Sequence, residues 1–170
     1  MEDRPPSAAG EVEVRRLYFI RHAQALDREL WHHDDELRPL TERGYRQADG
    51  IARELSRARI DRVLSSRAFR CIDTVWPLAD HLGVEITKHD DLFEGTSAAE
   101  ALALMRRLRV RRAALCTHGD VMQNVLEYLD DEGVDLDGGI RLAKGAYWEL
   151  ELDDRGEVRG GTYHPAPRGG

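Results

Sequence analysis

Short apolar runs and helically spaced apolar positions take turns along most of the chain. Leu17-Tyr18-Phe19-Ile20 is continuously apolar and rich in aromatic and branched side chains, the pattern of a strand buried on both faces that ends at Arg21. Thr41 is placed to cap a helix carrying Ala48, Ile51, Ala52 and Leu55 on one face, with Gly44 and Gly50 weakening it. Arg62-Val63-Leu64-Ser65 reads as a second strand. The helix expected after it presents Phe69, Ile72, Val75, Ala79 and Leu82, stops at Gly83, and is kinked or divided by Pro77. Val84-Glu85-Ile86-Thr87 reads as a third strand, and Ser97 with Glu100 has capping-box spacing before a helix bearing Ala101, Leu104, Met105 and Leu108. Ala113-Ala114-Leu115-Cys116-Thr117 is a fourth apolar run, followed by a helix with Val121, Met122, Val125 and Leu129. Apolar and polar positions alternate from Tyr147 to Leu152, and Asp153-Asp154-Arg155-Gly156 offers a turn into a last strand near Val158.

Strands alternating with helices at these intervals predict an α/β domain, with a mostly parallel central sheet covered on both faces. A chain of 170 residues with 41% apolar residues closes one core. The domain is expected over 12–163, between a loosely held polar segment at 1–11 and a loosely held Pro- and Gly-rich tail at 164–170.

Composition narrows the function. Lys and Arg number 25 against 32 Asp and Glu, a formal charge of -7, which disfavours nucleic acid or an anionic membrane as partner. A phosphorylated substrate then requires a locally basic pocket. No apolar stretch is long enough to cross a bilayer and the start has no signal-peptide core, so a cytoplasmic location is expected. Cys71 and Cys116 are far apart in sequence and predict buried thiols rather than a disulfide or a zinc knuckle. His32-His33-Asp34-Asp35 is a poor metal site, because adjacent side chains seldom converge; a substrate-facing or exposed loop is expected. The arginines between 106 and 112 read as surface, and Trp31, Trp76 and Trp148 as packing residues.

Ligands of such α/β folds bind beyond the carboxyl ends of the strands. There the chain places Arg21-His22, Ser66 to Arg70, the loop from Asp90 to Glu94, and Thr117-His118-Gly119. Two histidines, at least two arginines and a carboxylate therefore share one edge. Transfer of a phosphoryl group depends on holding its spread negative charge. Arginine forks do this at any working pH, a neutral imidazole attacks phosphorus, and a carboxyl group protonates the leaving oxygen.

In detail these segments resemble the histidine phosphatase superfamily, the group that includes cofactor-dependent phosphoglycerate mutases. Leu17 to Ala23 is similar to its strand and RHG signature. Ser66-Arg67-Ala68-Phe69-Arg70-Cys71-Ile72-Asp73-Thr74 is similar to its S-x-x-x-R-A-x-Q-T segment, Leu115 to Gly119 to the strand with the second histidine, and Leu92-Phe93-Glu94 to its L-x-E. Pro39-Leu40-Thr41-x-x-Gly44-x-x-Gln47-Ala48 matches the entry to its first helix. Ala23, Cys71 and Asp73 stand where the family usually has glycine, alanine and glutamine.

The resemblance implies a phosphoglycerate-mutase-like α/β/α sandwich with His22 as nucleophile, Arg21, Arg70 and His118 as phosphate ligands, and Glu94 as acid. Neither metal nor other cofactor is implied. The short length and the Arg21-His22-Ala23-x-Ala25 start look closest to the small SixA-type phosphohistidine phosphatases, and also to the phosphatase domain that some bacterial Nudix hydrolases carry. The expected partner is a phosphorylated substrate, either a phosphohistidine protein or a small metabolite such as a nucleotide or sugar phosphate. A silent domain that only binds phosphorylated ligands is the reading from a different class.

Overall fold

The computed structural model describes residues 14–168. In chain order it holds β1 (Arg15–Arg21), α1 (Glu42–Leu55), β2 (Arg62–Ser65), α2 (Phe69–Leu82), β3 (Ile86–Lys88), α3 (Ala98–Arg107), β4 (Arg112–Thr117), α4 (Gly119–Asp131), β5 (Asp135–Leu136), β6 (Tyr147–Leu152) and β7 (Val158–His164). The strands form one sheet in the order β3-β2-β4-β1-β6-β7-β5. It is mostly parallel; β6 is the strand that runs against its neighbours, β1 and β7.

β1 shows why the domain has three layers. Its side chains alternate between the two faces of the sheet. Leu17 and Phe19 join Met105, Val121 and Val125 in the core under α3 and α4. Tyr18 and Ile20 join Ile51, Val75 and Leu78 in the core under α1 and α2. The helix starts are set locally, as the capping residues predict. The Thr41 hydroxyl accepts from the Gly44 amide at 3.0 Å, and Ser97 with Glu100 forms the reciprocal capping box.

Several expectations are corrected. α2 buries Arg70, Cys71, Thr74, Val75, Leu78 and Ala79, while Phe69 is exposed and Ile72 half-buried. Val75 and Ala79 are buried as the spacing predicts and Leu82 packs against the same core, but Arg70 and Thr74 share that inward face and Phe69 does not. α2 also runs unbroken through Pro77, which is half-buried like Asp73 one turn earlier, so water can reach the carbonyl that Pro77 leaves without a donor. β3 begins at Ile86, because Val84 is held in the helix ending, its amide donating to the Ala79 carbonyl at 3.1 Å. β5 is two residues long and leaves no periodic signal.

The proposed segment 1–11 lies outside the described residues. Beyond 163 the chain is not loosely held as far as residue 168 is followed: His164 completes β7 and stacks on Tyr147 at 4.7 Å, and Pro167 lies against Gly50. A Cβ on Gly50 would come within 2.4 Å of the Pro167 ring, and one on Gly44 within 2.0 Å of the Gln24 carbonyl oxygen. Both helix glycines are therefore places of close approach.

Sheet register prepares the site. Arg21 pairs with Thr117 across the parallel β1 and β4, and Ser65 pairs with Cys116 across β2 and β4. His22 and His118 consequently leave β1 and β4 at one level, and Ser66 leaves the neighbouring β2 one residue lower.

Candidate active site

His22 is held from three sides. Its amide donates to the Thr117 carbonyl at 3.0 Å, and its own carbonyl accepts from Gly145 at 3.1 Å. Nδ1 lies 2.8 Å from the Ala23 carbonyl oxygen. A carbonyl only accepts, so Nδ1 carries the proton and Nε2 keeps a lone pair. The ring is 7% exposed and lines the cleft. Burial holds the imidazole far below its ordinary 6.5, at about 3, with the charges of His118, Arg70 and Arg21 acting in the same direction and the Ala23 hydrogen bond against it. His22 is thus neutral at neutral pH.

That depression links stability to pH. As pH falls below 6.5 the unfolded chain takes up a proton that the folded His22 refuses until about pH 3, so stability falls on acidification through that window. The expected slope is up to about 1.4 kcal/mol per pH unit. Urea unfolding of wild type and His22→Asn between pH 7 and pH 4 checks it: the difference in stability between the two should shrink as pH falls. A constant difference would show that His22 is not depressed.

Two arginines flank the histidines. The Arg21 guanidinium lies against Gly119, where a Cβ would come within 2.7 Å of Cζ, and Nη1 donates to the Leu142 carbonyl. Arg70, 1% exposed, donates from Nη1 to the Asp35 carbonyl at 2.8 Å and from Nη2 to the Asp35 carboxylate at 3.2 Å and to Glu94. The Nε of each arginine is buried with no partner among the described residues. His118, at the start of α4, hydrogen-bonds through Nε2 with the Ser66 hydroxyl at 2.8 Å. Its ring centroid lies 5.6 Å from that of His22.

Glu94 is the carboxylate that faces this group. Oε1 bonds Arg70, lies 3.4 Å from His118 Nδ1 and accepts from Arg28 at 3.3 Å. The loop is fixed to α4, since the Gly95 amide donates to Asp120 at 2.8 Å. Asp90 and Asp91 instead pair outward with Arg67 and Arg107.

All five candidate residues therefore meet. Arg21, His22, Glu94 and His118 line a cleft of about 980 Å³, with Arg28, Arg38 and Lys144 on its walls. Arg70 lies one layer deeper, behind Glu94 and 3.5 Å from His118. The basic pocket demanded by the acidic composition is present.

Sequence reasoning missed Asp35, taken as part of a substrate-facing or exposed loop. Its carboxylate also accepts from Arg38 at 3.0 Å and lies 3.7 Å from Arg28, so it ties three arginines together. Burial alone would raise its pKa, but the Arg38 hydrogen bond and the surrounding guanidinium charges bring it below the usual value. Nothing local marks Asp35 apart from Asp34. Trp31 and His32 do not line the cleft. Among the described residues no group of His, Cys, Asp and Glu is arranged to hold a metal ion, and no helix is long and apolar enough to cross a membrane. Cys71 and Cys116 are buried free thiols, Cys71 lying 3.6 Å from His118 Nε2.

Comparison with known proteins agrees with this geometry. The family description "histidine phosphatase superfamily (branch 1)" matches residues 17–98. An 8-oxo-(d)GTP phosphatase of Mycolicibacterium smegmatis is 29% identical over 161 residues, covering 92% of this chain and 50% of that protein. The chain thus spans half the length of that relative. The fold is shared with the protein histidine phosphatase SixA bound to tungstate, at TM-score 0.69 and 22% identity over 90% of this chain and 96% of that one. A mycobacterial glucosyl-3-phosphoglycerate phosphatase shares it too, at TM-score 0.63 and 17% identity over 92% and 99%. The matched segment carries Arg21, His22, Arg70 and Glu94, with His118 at the same sheet edge, so residues 17–98 resemble the histidine phosphatase superfamily (branch 1).

Proposed function

We propose that the chain is a metal-independent phosphohydrolase of SixA-like type that works through a phosphohistidine on His22. The observation that carries the reading is a cleft-lining His22 whose Nδ1 is taken by the Ala23 carbonyl, leaving Nε2 free, beside Arg21 and Arg70, whose buried Nε–H groups lack partners among the described residues. Nε2 attacks phosphorus in line, the P–Nε2 bond forms and the bond to the leaving group breaks. Arg21, Arg70 and His118 hold the phosphoryl oxygens, and Glu94, turned away from Arg70 and protonated from solvent, gives that proton to the leaving group. Water then attacks the phosphohistidine, Glu94 takes its proton, and phosphate leaves with His22 restored.

A second reading, a small-molecule phosphatase, is favoured by the cleft. At about 980 Å³ it is far larger than one phosphoryl group needs, and Gln24, Gln123 and Lys144 add polar contacts along it. The name of the 29% identical relative points the same way.

The deciding experiment measures phosphate release, with chelator present, from a phosphohistidine protein, nucleotides, sugar phosphates and an aryl phosphate. It is paired with acid-labile, base-stable trapping of phosphate on the enzyme. Trapping on histidine supports the mechanism, and the preferred substrate chooses between the two readings. Turnover lost to chelator and restored by magnesium would overturn it, and binding without trapping would return the silent-domain reading.

Glu94→Gln separates the substrates further. It should slow release from alkyl phosphates on the order of 10- to 100-fold, and much less from a phosphohistidine protein, whose imidazole leaving group is already protonated. Equal losses on both would make Glu94 a positioning group for Arg70 instead.

A further inference from the structure

The segment Leu40-Thr41, Gly44, Gln47-Ala48 takes no part in the chemistry above, yet all of it converges on residues 23 to 25. Leu40 and Ala48 pack with Ala23 and Ala25 in a small separate core. The Thr41 amide donates to the Gln24 carbonyl at 3.0 Å, and Gly44 leaves room for that same oxygen. Gln47, buried in α1, accepts through Oε1 from the Gln24 amide at 2.9 Å.

The Gln24 amide and the Ala23 carbonyl are the two ends of one planar peptide unit. That carbonyl is the acceptor for His22 Nδ1. We propose that Gln47, together with Thr74, is a positioning residue for the nucleophile: it orients the peptide plane whose carbonyl keeps the proton on Nδ1, so that Nε2 meets the phosphoryl group. The inference rests on His22 being the phosphoryl acceptor.

Thr74 holds the preceding peptide unit. Its hydroxyl accepts from the Ala23 amide at 2.9 Å and donates to the Arg70 carbonyl at 2.6 Å, and it is wholly buried. Two side chains from different helices thus clamp the planes on either side of Ala23. A planar unit cannot turn at one end alone, so the Gln24 amide cannot be released without freeing the Ala23 carbonyl to rotate. The imidazole would then lose the contact that selects its tautomer. Gln47 in turn packs under Gly145, where a Cβ would come within 3.1 Å of its amide carbon, and the Gly145 amide donates to both the Arg21 and His22 carbonyls.

The test reads the His22 tautomer by long-range proton–nitrogen spectra of histidine-labelled protein, alongside steady-state kinetics. Wild type is expected to show Nδ1 protonated and Nε2 free. Gln47→Leu should give a mixed tautomer and lower kcat by about 10- to 100-fold with little change in KM, the size of effect expected from misaligning a reacting group. Gln47→Glu keeps an acceptor oxygen and should restore the single tautomer and most of kcat. Should Gln47→Leu not fold, Thr74→Val and Thr74→Ser repeat the comparison, the first losing the acceptor and the second keeping it.

A folded Gln47→Leu protein with the wild-type tautomer and wild-type kcat overturns the proposal, as does a folded Gln47→Glu with a mixed tautomer. The tautomer is read on the resting protein. If wild type traps no phosphohistidine, the nucleophile reading fails before any variant is made; if it traps normally and Gln47→Leu keeps its tautomer, only the positioning claim fails.

Discussion

Replacement of His22 by alanine is expected to lower phosphate release by at least about a thousandfold and to abolish trapping of phosphate on the protein. The size follows from what the imidazole supplies. It is neutral because burial holds its pKa near 3, so almost every molecule presents a free Nε2 at neutral pH. It is aimed by hydrogen bonds at Nδ1, at its amide and at its carbonyl. No other described side chain in the cleft combines these properties, since His118 spends Nε2 on Ser66 and lies with Nδ1 toward Glu94. Thr74 and Gly145 do not depend on the His22 ring for their own contacts, and the Ala23 carbonyl loses one hydrogen bond, so the variant should fold. Near- and far-ultraviolet circular dichroism matching wild type, beside lost turnover, supports the mechanism. Turnover within tenfold of wild type would place the nucleophile elsewhere.

Arg70→Ala is the second large effect, with kcat expected to fall on the order of 100-fold or more. Arg70→Lys should recover little of it. The fork of Arg70 meets the Asp35 carbonyl, the Asp35 carboxylate and Glu94 while keeping Nε–H without a partner. A lysine ammonium cannot hold that set of planar contacts. Loss of Arg70 also leaves Glu94 and Asp35 without their shared cation. Because both carboxylates are partly solvated, at 32% and 46% side-chain exposure, the stability loss should be well below that of a fully buried pair. Kinetics with thermal unfolding on the same samples separate the two effects. A kcat within threefold of wild type would remove Arg70 from the phosphoryl site.

The elements that set this site were readable where the signal is local. Thr41 and Ser97 mark helix starts because a cap acts within one turn. Four continuous apolar residues mark β1 because a strand covered on both faces has no polar positions to alternate with. The polar members of the inward face of α2 were not readable, because hydrophobic spacing counts residues such as Arg70 and Thr74 as solvent-facing.

Asp35 makes the same point about charge. The resemblance singled out Glu94 over Asp90 and Asp91, but the loop of Asp34 and Asp35 carried no signal that Asp35 also meets Arg70.

By itself, then, the sequence determined the order of most strands and helices and the placement of Arg21, His22, Arg70 and His118 at one edge of the sheet. Tertiary structure alone decided that Asp35 meets Arg70, that Arg70 and Thr74 share the buried face of α2, and that Gln47 and Thr74 hold the peptide units beside His22. Local periodicity and capping act over a few residues, whereas these contacts join side chains 23 to 51 positions apart and exist only once the helices have packed on the sheet.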